Sequence, residues 1–390
     1  MTVMPLLWLG LHVYLDRRLV RSGAFSPAVR RVLRWVIIAC AVLPLYTLTG
    51  ARMGLPSTRA LQLVGFFLFG LSSIALVLQL MVDAGRGVAA LWRRFVLARG
   101  RSAAVPSDAP TDPARRGFFG QLANLGVVGT ASGVAGFGFV QVQATPEVLH
   151  VQVPIVGLPP ALHGLRIVQM TDIHVGPTIK REYLERCVEV CNAQDADLVA
   201  VTGDLIDGFV GQLRDDVAPL GDLRAREGVF FVTGNHEYYW DGPAWCDEVA
   251  RLGLTVLDNR HVVIERGGAK LLLAGVTDIS AGSMVASHAS DPAKACAGAP
   301  SCDVRVLLAH QPRSVYAAAK AGYDLQISGH THGGQYFPMN LLVYLAQPYV
   351  AGLERHEDMW IYVSRGTGYW GPPMRAGAPS EITLLELVPA

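Results

Sequence analysis

With 390 residues, 51% of them apolar, and a formal net charge of +1, the chain has room for a large catalytic domain plus further segments. Six cysteines spread over this length exclude a small disulfide-framework scaffold. The near-zero charge conceals a division: up to Thr145 there are 15 Arg, no Lys and four acids (Asp16, Asp83, Asp108, Asp112), a net of +11, while the remainder is net −10. Such a split indicates two regions in different surroundings.

The first region holds four apolar runs: Met1–Leu15, Trp35–Thr49, Ala60–Val82 and Gly117–Val140. A bilayer core takes about 20 apolar residues per helix, so the third and fourth runs are long enough and the first two are marginal. Arg17, Arg18, Arg21, Arg30, Arg31 and Arg34 lie between runs one and two. Arg86, Arg93, Arg94, Arg99, Arg101, Arg115 and Arg116 lie between runs three and four, against only Arg52 and Arg59 between runs two and three. These flanking charges favour membrane spans over buried core helices. With about four spans, both dense clusters fall on one face, and cationic short loops mark the cytoplasmic side. The expectation is a multi-pass anchor over residues 1–145 in the cytoplasmic (inner) membrane, with a Ser/Ala/Pro/Asp-rich cytoplasmic linker near 99–113. Residues 146–390 then form an extracytoplasmic domain. Arg115-Arg116-Gly117-Phe118-Phe119, ahead of a Gly/Ala/Val stretch, also has the form of a twin-arginine export signal placed internally.

From Val148 the pattern changes. Val148–Ile155 alternates as a half-buried strand does, and short apolar runs follow at Leu165–Met170, Leu198–Thr202, Val229–Thr233, Leu271–Ala274, Arg305–Ala309 and Leu325–Ser328. Helical stretches separate several of them: Arg181–Asn192, Ala244–Leu252 and Ser314–Ala321. Short buried strands alternating with helices predict an α/β domain. Cys187 and Cys191, four apart on a helix, read as small buried residues. Cys296 and Cys302 flank a Gly/Pro loop and are spaced to close a short disulfide in an oxidising compartment.

Polar motifs sit just past the strand ends. Asp172-Ile173-His174 follows the run ending at Met170, and Gly203-Asp204 follows Thr202. Gly234-Asn235-His236-Glu237 follows Thr233, His310 follows Ala309, and Gly329-His330-Thr331-His332 follows Ser328. Open α/β sheets place ligand sites outside the carboxyl ends of their strands, so these five loops converge if the strands are neighbours. Mixed imidazole, carboxylate and amide donors suit Mn, Fe, Zn or Co better than Mg or Ca. Each motif alone is ordinary, but five of the chain's 11 histidines fall in four of them.

These blocks, with Gly203-Asp204-x-x-Asp207 and Gly329-His330-x-His332, resemble the calcineurin-like metallophosphoesterase family in order and spacing, from about Leu165 to Leu387. Gly329-His330-Thr331-His332-Gly333-Gly334-Gln335 and Ser364-Arg365-Gly366 resemble a bacterial membrane-anchored branch with a twin-arginine-type leader. The resemblance implies an α/β fold, a two-sheet sandwich flanked by helices, here preceded by an α-helical transmembrane region. It implies two divalent ions: Asp172, His174 and His332 on one, Asn235, His310 and His330 on the other, and Asp204 bridging. His236 would face the substrate as the catalytic residue. Asp207 and Glu237 would orient imidazole N–H groups, and Arg365 and Arg375 would contact phosphate oxygens. The expected activity is hydrolysis of a phosphodiester or phosphomonoester, an amphiphilic one included, at the outer membrane face. The expected partners are that substrate and the lipid bilayer, with no nucleic acid. The alternative is a non-catalytic metal- or ligand-binding sensor on a membrane module.

Overall fold

The computed structural model describes residues 3–21, 25–50, 53, 55–99 and 113–390. The chain divides into two compact units, Met1–Phe139 and Val140–Ala390. The expected linker near 99–113 falls, but for its two ends, outside the described residues, as do Arg52 and Arg101.

The first unit is helical. Helix α1 (Val3–Leu15) runs into a π-helical segment, Asp16–Arg21, and is followed by α2 (Pro27–Gly50), α3 (Arg59–Arg99) and α4 (Pro113–Gln141). Among the described residues three stretches are long and apolar enough to cross a membrane: Pro27–Gly50, Arg59–Val96 and Gly117–Gln141. The sequence led us to expect about four. At 13 residues α1 rises only about 20 Å, short of a bilayer core. Trp35, Val64, Leu125 and Phe137 point outward, so the exposed surface of these helices is apolar. At the arginine-rich end of the apolar run in α3, Asp83 is met by Tyr14 Oη at 2.6 Å, Arg18 Nε at 2.6 Å and Arg86 Nη1 at 3.3 Å.

The second unit is a sandwich of two six-stranded sheets. Its strands are β1 (Glu147–Ile155), β2 (Arg166–Met170), β3 (Leu198–Val201), β4 (Gly228–Phe231), β5 (Thr255–Val256), β6 (Arg260–Arg266), β7 (Ala269–Gly275), β8 (Val304–Leu308), β9 (Leu325–Ser328), β10 (Gly352–His356), β11 (Met359–Val363) and β12 (Glu381–Pro389). One sheet runs β1-β12-β2-β3-β4-β5 and the other β10-β11-β9-β8-β7-β6. Strands β2 to β5 are parallel, as are β7, β8, β9 and β11, so their carboxyl ends gather at one end of each sheet. The helices are α5 (Arg181–Asn192), α6 (Val210–Val217), α7 (Asn235–Tyr239), α8 (Gly242–Arg251), α9 (Pro292–Cys296), α10 (Val315–Lys320) and α11 (Met339–Leu342).

Strand period decides which layer each side chain enters. Ile167, Leu198, Ala200 and Phe230 pack against Leu271, Leu273, Val306 and Ile327 between the sheets. Their neighbours Val168, Val199, Val201 and Phe231 pack on the other face against Leu184, Cys187, Cys191, Leu213, Val217 and Trp245 of α5, α6 and α8. Leu272, Ala274 and Leu307 do the same for the second sheet against Ala295, Val315 and Ala318 of α9 and α10. Both faces of both sheets are thus covered, which is why the strands read as continuous apolar runs rather than alternating ones. Cys187 and Cys191 are buried in this core, and Cys296 and Cys302 are both free thiols.

Trp245 is fully buried, and its indole N–H donates to the Gly208 carbonyl at 3.0 Å, tying the helical layer to the loop after β3. Replacing Trp245 by Ala removes that bond and leaves a large cavity; thermal unfolding should register a loss of about 3–5 kcal/mol.

Candidate metal centre

Every expected metal ligand follows the carboxyl end of a strand. Thr171 to His174 leave β2, Thr202 to Asp207 leave β3, and Gly234-Asn235-His236-Glu237 leave β4 and open α7. His310 leaves β8, and Gly329 to His332 leave β9. These loops carry an uncommon backbone. Asp172, His174, Asp204, His330 and His332 all take positive φ, between 49° and 72°. Non-glycine residues pay for this conformation, on the order of 1–3 kcal/mol each, and it persists only where surrounding structure over-determines it. Here it turns side chains from three separate loops toward one point. Space is equally constrained: a Cβ on Gly329 would lie 2.2 Å from Asp172 Oδ2.

Three groups of donors converge with all their ligand atoms within 4.8 Å of one another: Asp172, His174 and His332; Asp204, His310 and His330; and His174, Asp207 and His236. His174 Nε2 lies 3.1 Å from His332 Nε2, and His330 Nδ1 lies 3.2 Å from His310 Nε2. Asp204 Oδ2 is 3.0 Å from His310 Nε2 and 3.9 Å from His174 Nε2. His310 Nδ1 donates to the Thr202 carbonyl at 2.8 Å, and His174 Nδ1 meets Asp207 Oδ2 at 3.1 Å. In both rings the outer nitrogen is held by oxygen and the inner one faces the cluster, the pattern that orients a metal-ligating imidazole. Asn235 is buried, and its Oδ1 has no hydrogen-bond partner.

The electrostatics follow from crowding acids and bases away from water. Burial raises the Asp172 pKa, against His310 and with the nearby Asp204 charge. Asp204 is instead driven well down, since His310, His236 and His174 outweigh its burial. Burial and the charges of His174 and Arg375 push His332 well below the ordinary histidine value, and burial with His310 brings His330 down to about 3. His236 goes the other way: burial is outweighed by Asp204 and Asp207, lifting it to about 9. His310 is likewise raised well above the ordinary value, because Asp204 and Asp172 outweigh its burial, so unprotonated His330 and His332 face charged groups across the cluster.

The supporting residues divide in a way the motifs did not indicate. Asp207 takes the Nδ1 atoms of His174 and His236, while Glu237, fully buried, accepts the backbone N–H groups of Gly234 (2.6 Å), Leu205 (2.8 Å) and Asp204 (3.1 Å). Arg365 pairs with the buried Glu381 carboxylate. Arg375 is 1% exposed and donates to the carbonyls of Gly368 (2.8 Å), Ala378 (2.9 Å), Arg365 (2.7 Å), Gly366 and His332, with Nη2 3.2 Å from His332 Nδ1. Three residues escaped the motif reading. Buried Asp278 follows β7 and takes Gln311 Nε2 at 3.0 Å; its strand-end position, matching those of the other loops, was the available signal. Tyr239 and Trp370, each about half exposed, set their rings 5.1 and 5.6 Å from that of His236, and nothing in the sequence marked them.

A two-sheet α/β sandwich with such donors at its strand ends is the architecture of a metal-dependent phosphoesterase. Residues 165–334 match the family model for calcineurin-like phosphoesterase. The chain is 39% identical over 262 residues to a Danio rerio protein described as "Transmembrane protein with metallophosphoesterase domain", covering 65% of this chain and 60% of that one. It is 30% identical over 225 residues to an uncharacterized metallophosphoesterase of Aquifex aeolicus, covering 57% of this chain and 85% of that one. The crystal structure of calcineurin-like phosphoesterase YfkN from Bacillus subtilis aligns with a TM-score of 0.35 at 17% identity, over 51% of this chain and 87% of that chain. The chain belongs to the calcineurin-like metallophosphoesterase family. It spans about three fifths of the length of the animal relatives it matches, and their presence means that the similarity does not single out a bacterial branch.

Arg375 leaves several buried carbonyls without a donor if it is shortened to Met. We expect the Arg375→Met variant to lose about 2–4 kcal/mol of stability, the cost of unsatisfied buried polar groups, measurable as a lowered unfolding temperature in detergent.

Proposed function

We propose that this chain hydrolyses a phosphate ester, diester or monoester, using two divalent ions of the Mn, Fe, Zn or Co kind. The observation that carries this reading is the place of Asp204 Oδ2, between His310 of one donor group and His174 of the other, where one carboxylate can serve two ions. Asp172, His174 and His332 would hold the first ion, and Asn235, His310 and His330 the second. The donors fit such ions: they mix nitrogen and oxygen, and the buried Asn235 amide oxygen has no other partner. When bound, a pair of such ions supplies a nucleophile from water at neutral pH and neutralises charge on the phosphoryl oxygens.

The chain's own residues do the rest. His236, buried but flanked by half-exposed aromatics, is fixed by Asp207 at Nδ1 and by its backbone N–H to Asp204 Oδ1 at 2.9 Å. Its Nε2 is the group to deliver a proton to the leaving oxygen. Asp207 thus positions one ligand and the proton donor together. Arg375 acts at one remove, through the backbone around His332, while Arg365, paired through Nε with Glu381, keeps a part-exposed side chain for a phosphate oxygen.

Purified protein loaded with Mn²⁺ should hydrolyse bis-p-nitrophenyl phosphate or p-nitrophenyl phosphate. Asp204→Ala should lose bound metal and activity together. His236→Gln should keep the metal and lose roughly 10²–10⁴-fold in kcat. Stoichiometric metal with no turnover of either ester by the wild type would favour a sensor instead.

The same reading extends to place. Dense arginine clusters around the start of α2 and from the end of α3 into the start of α4, with Arg59 on the opposite side, support a cytoplasmic location for the clusters and an extracytoplasmic one for the second unit. Whether α1 also spans does not alter that outcome. Arg115-Arg116-Gly117-Phe118-Phe119 at the start of α4 supports export by the twin-arginine route, as in a bacterial branch of the family. An alkaline-phosphatase fusion after Thr145 should therefore be active in cells of a bacterial host; an inactive fusion overturns the topology.

A further inference from the structure

The first residues of the catalytic unit lie at the same end of its sandwich as the donor cluster. Helix α4 ends at Gln141, and Val142 is already buried in the core beside Met170, Ile173 and Ile382. Strand β1 begins at Glu147, which pairs with Glu381 of β12. Strand β12 runs antiparallel to β2, with Thr383 opposite Gln169. Glu147 and Glu381 are therefore level with Thr171, one residue before Asp172. The glycine turn carrying Arg365 closes the same corner, with the Gly368 N–H on the Asp172 carbonyl at 3.0 Å. The chain thus enters the catalytic unit at its site end.

That end also carries apolar side chains that are exposed among the described residues. The segment after the His330–His332 turn is fixed to that turn at both ends. A Cβ on Gly334 would meet Asn340 Cα at 2.3 Å, and Thr331 Oγ1 donates to the Val350 carbonyl at 2.6 Å. Between those anchors Leu341 is 62% exposed and Leu345 83%, with Leu342 and Tyr344 also exposed. Across the same turn Gln335 Nε2 donates to the Trp370 carbonyl at 3.0 Å, and the Trp370 ring stands exposed beside His236. A contiguous exposed apolar patch on the rim of a site marks a surface built to be covered. Leucines flanked by Trp and Tyr match the chemistry of a bilayer interface.

We propose that Leu341, Leu342, Tyr344, Leu345 and Trp370 form a lipid-contact rim, and that the ester cleaved at the donor cluster is carried on a membrane lipid. The inference rests on the phosphoesterase reading of the site and names its substrate class. The phosphoryl group reaches the cluster past His236, while the tail stays in the bilayer against the leucines. No long extraction of the lipid into water is then needed.

The test uses the full chain reconstituted in vesicles of phosphatidylethanolamine and phosphatidylglycerol, with Mn²⁺. Leu345→Cys, in a Cys296→Ser/Cys302→Ser background, is labelled with a fluorophore, and brominated lipids should quench it more strongly than aqueous iodide. The Leu341→Glu/Leu345→Glu variant should lose about tenfold or more of its hydrolysis of phosphatidic acid or phosphatidylglycerol, since interfacial binding scales with buried apolar area. Its turnover of soluble bis-p-nitrophenyl phosphate should stay within about twofold, because neither residue touches the site. A label quenched only from water, a parallel fall in both activities, or self-association through this patch in place of lipid contact would overturn the proposal. So would a wild-type protein that cleaves the soluble diester but neither lipid. Failure on the soluble esters as well would instead bring down the phosphoesterase reading itself.

Discussion

One buried carboxylate holds the site loops in place. Glu237 sits at the first turn of α7 and accepts backbone N–H groups from its own turn at Gly234 and from Asp204 and Leu205 across the gap to the next strand. Three hydrogen bonds to one charged group are worth more than the same number of neutral ones. They are needed because Asp204 is held at a φ of 49°, which an L-residue with a free loop would leave. With Asp204 so fixed, its Oδ1 accepts the His236 N–H while Oδ2 faces His310, and the β3 and β4 loops become one rigid piece. Burial against Asp204 raises the Glu237 pKa to about 7, so the staple is itself strained by the charge it positions.

A similar arrangement recurs on the other side. Asp172 takes the His330 N–H on both oxygens, joining the β2 loop to the β9 loop, and Arg375 gathers the carbonyls around His332. Carboxylates and a guanidinium that would be costly alone are each satisfied by backbone groups that have no strand left to pair with. Polar side chains at the strand ends therefore do two jobs: some face inward as donors, and others replace the sheet's hydrogen bonding where the strands stop.

Much of this was legible in the sequence. Helix Arg181–Asn192 and strand Leu325–Ser328 have the bounds the pattern predicts, and every polar motif sits on the strand end to which it was assigned. The strand-end rule works because buried parallel strands are apolar throughout, so the first polar residue marks the exit. It fails where that contrast is absent. Strands β6 and β10 mix charges with apolar residues and face solvent in part, and β12 follows a Gly/Pro-rich stretch that conceals its start. Glu237 carried the right motif with a different use, since no spacing rule separates a carboxylate that meets an imidazole from one that meets an amide. Tyr239 and Trp370 gain their meaning only from the ring they stand beside. In the first unit, run one was already marginal in length, and α1, at 13 residues, is shorter than the three helices that reach a bilayer's width.

The strand order has a consequence for how the catalytic unit is made. Strand β1 lies at the sheet edge among the described strands, beside β12, which also separates it from β2. Everything from β2 to β11 must be synthesised before β1 acquires its partner. Until then β1 is an unpaired strand. Closing so distant a contact is slow, because loop-closure entropy is paid before the pairing rewards it. Glu381, at the start of β12, is also the residue that receives Arg365, so the corner beside Asp172 is completed by the same late event. Maturation of the site is thereby coupled to the arrival of β12.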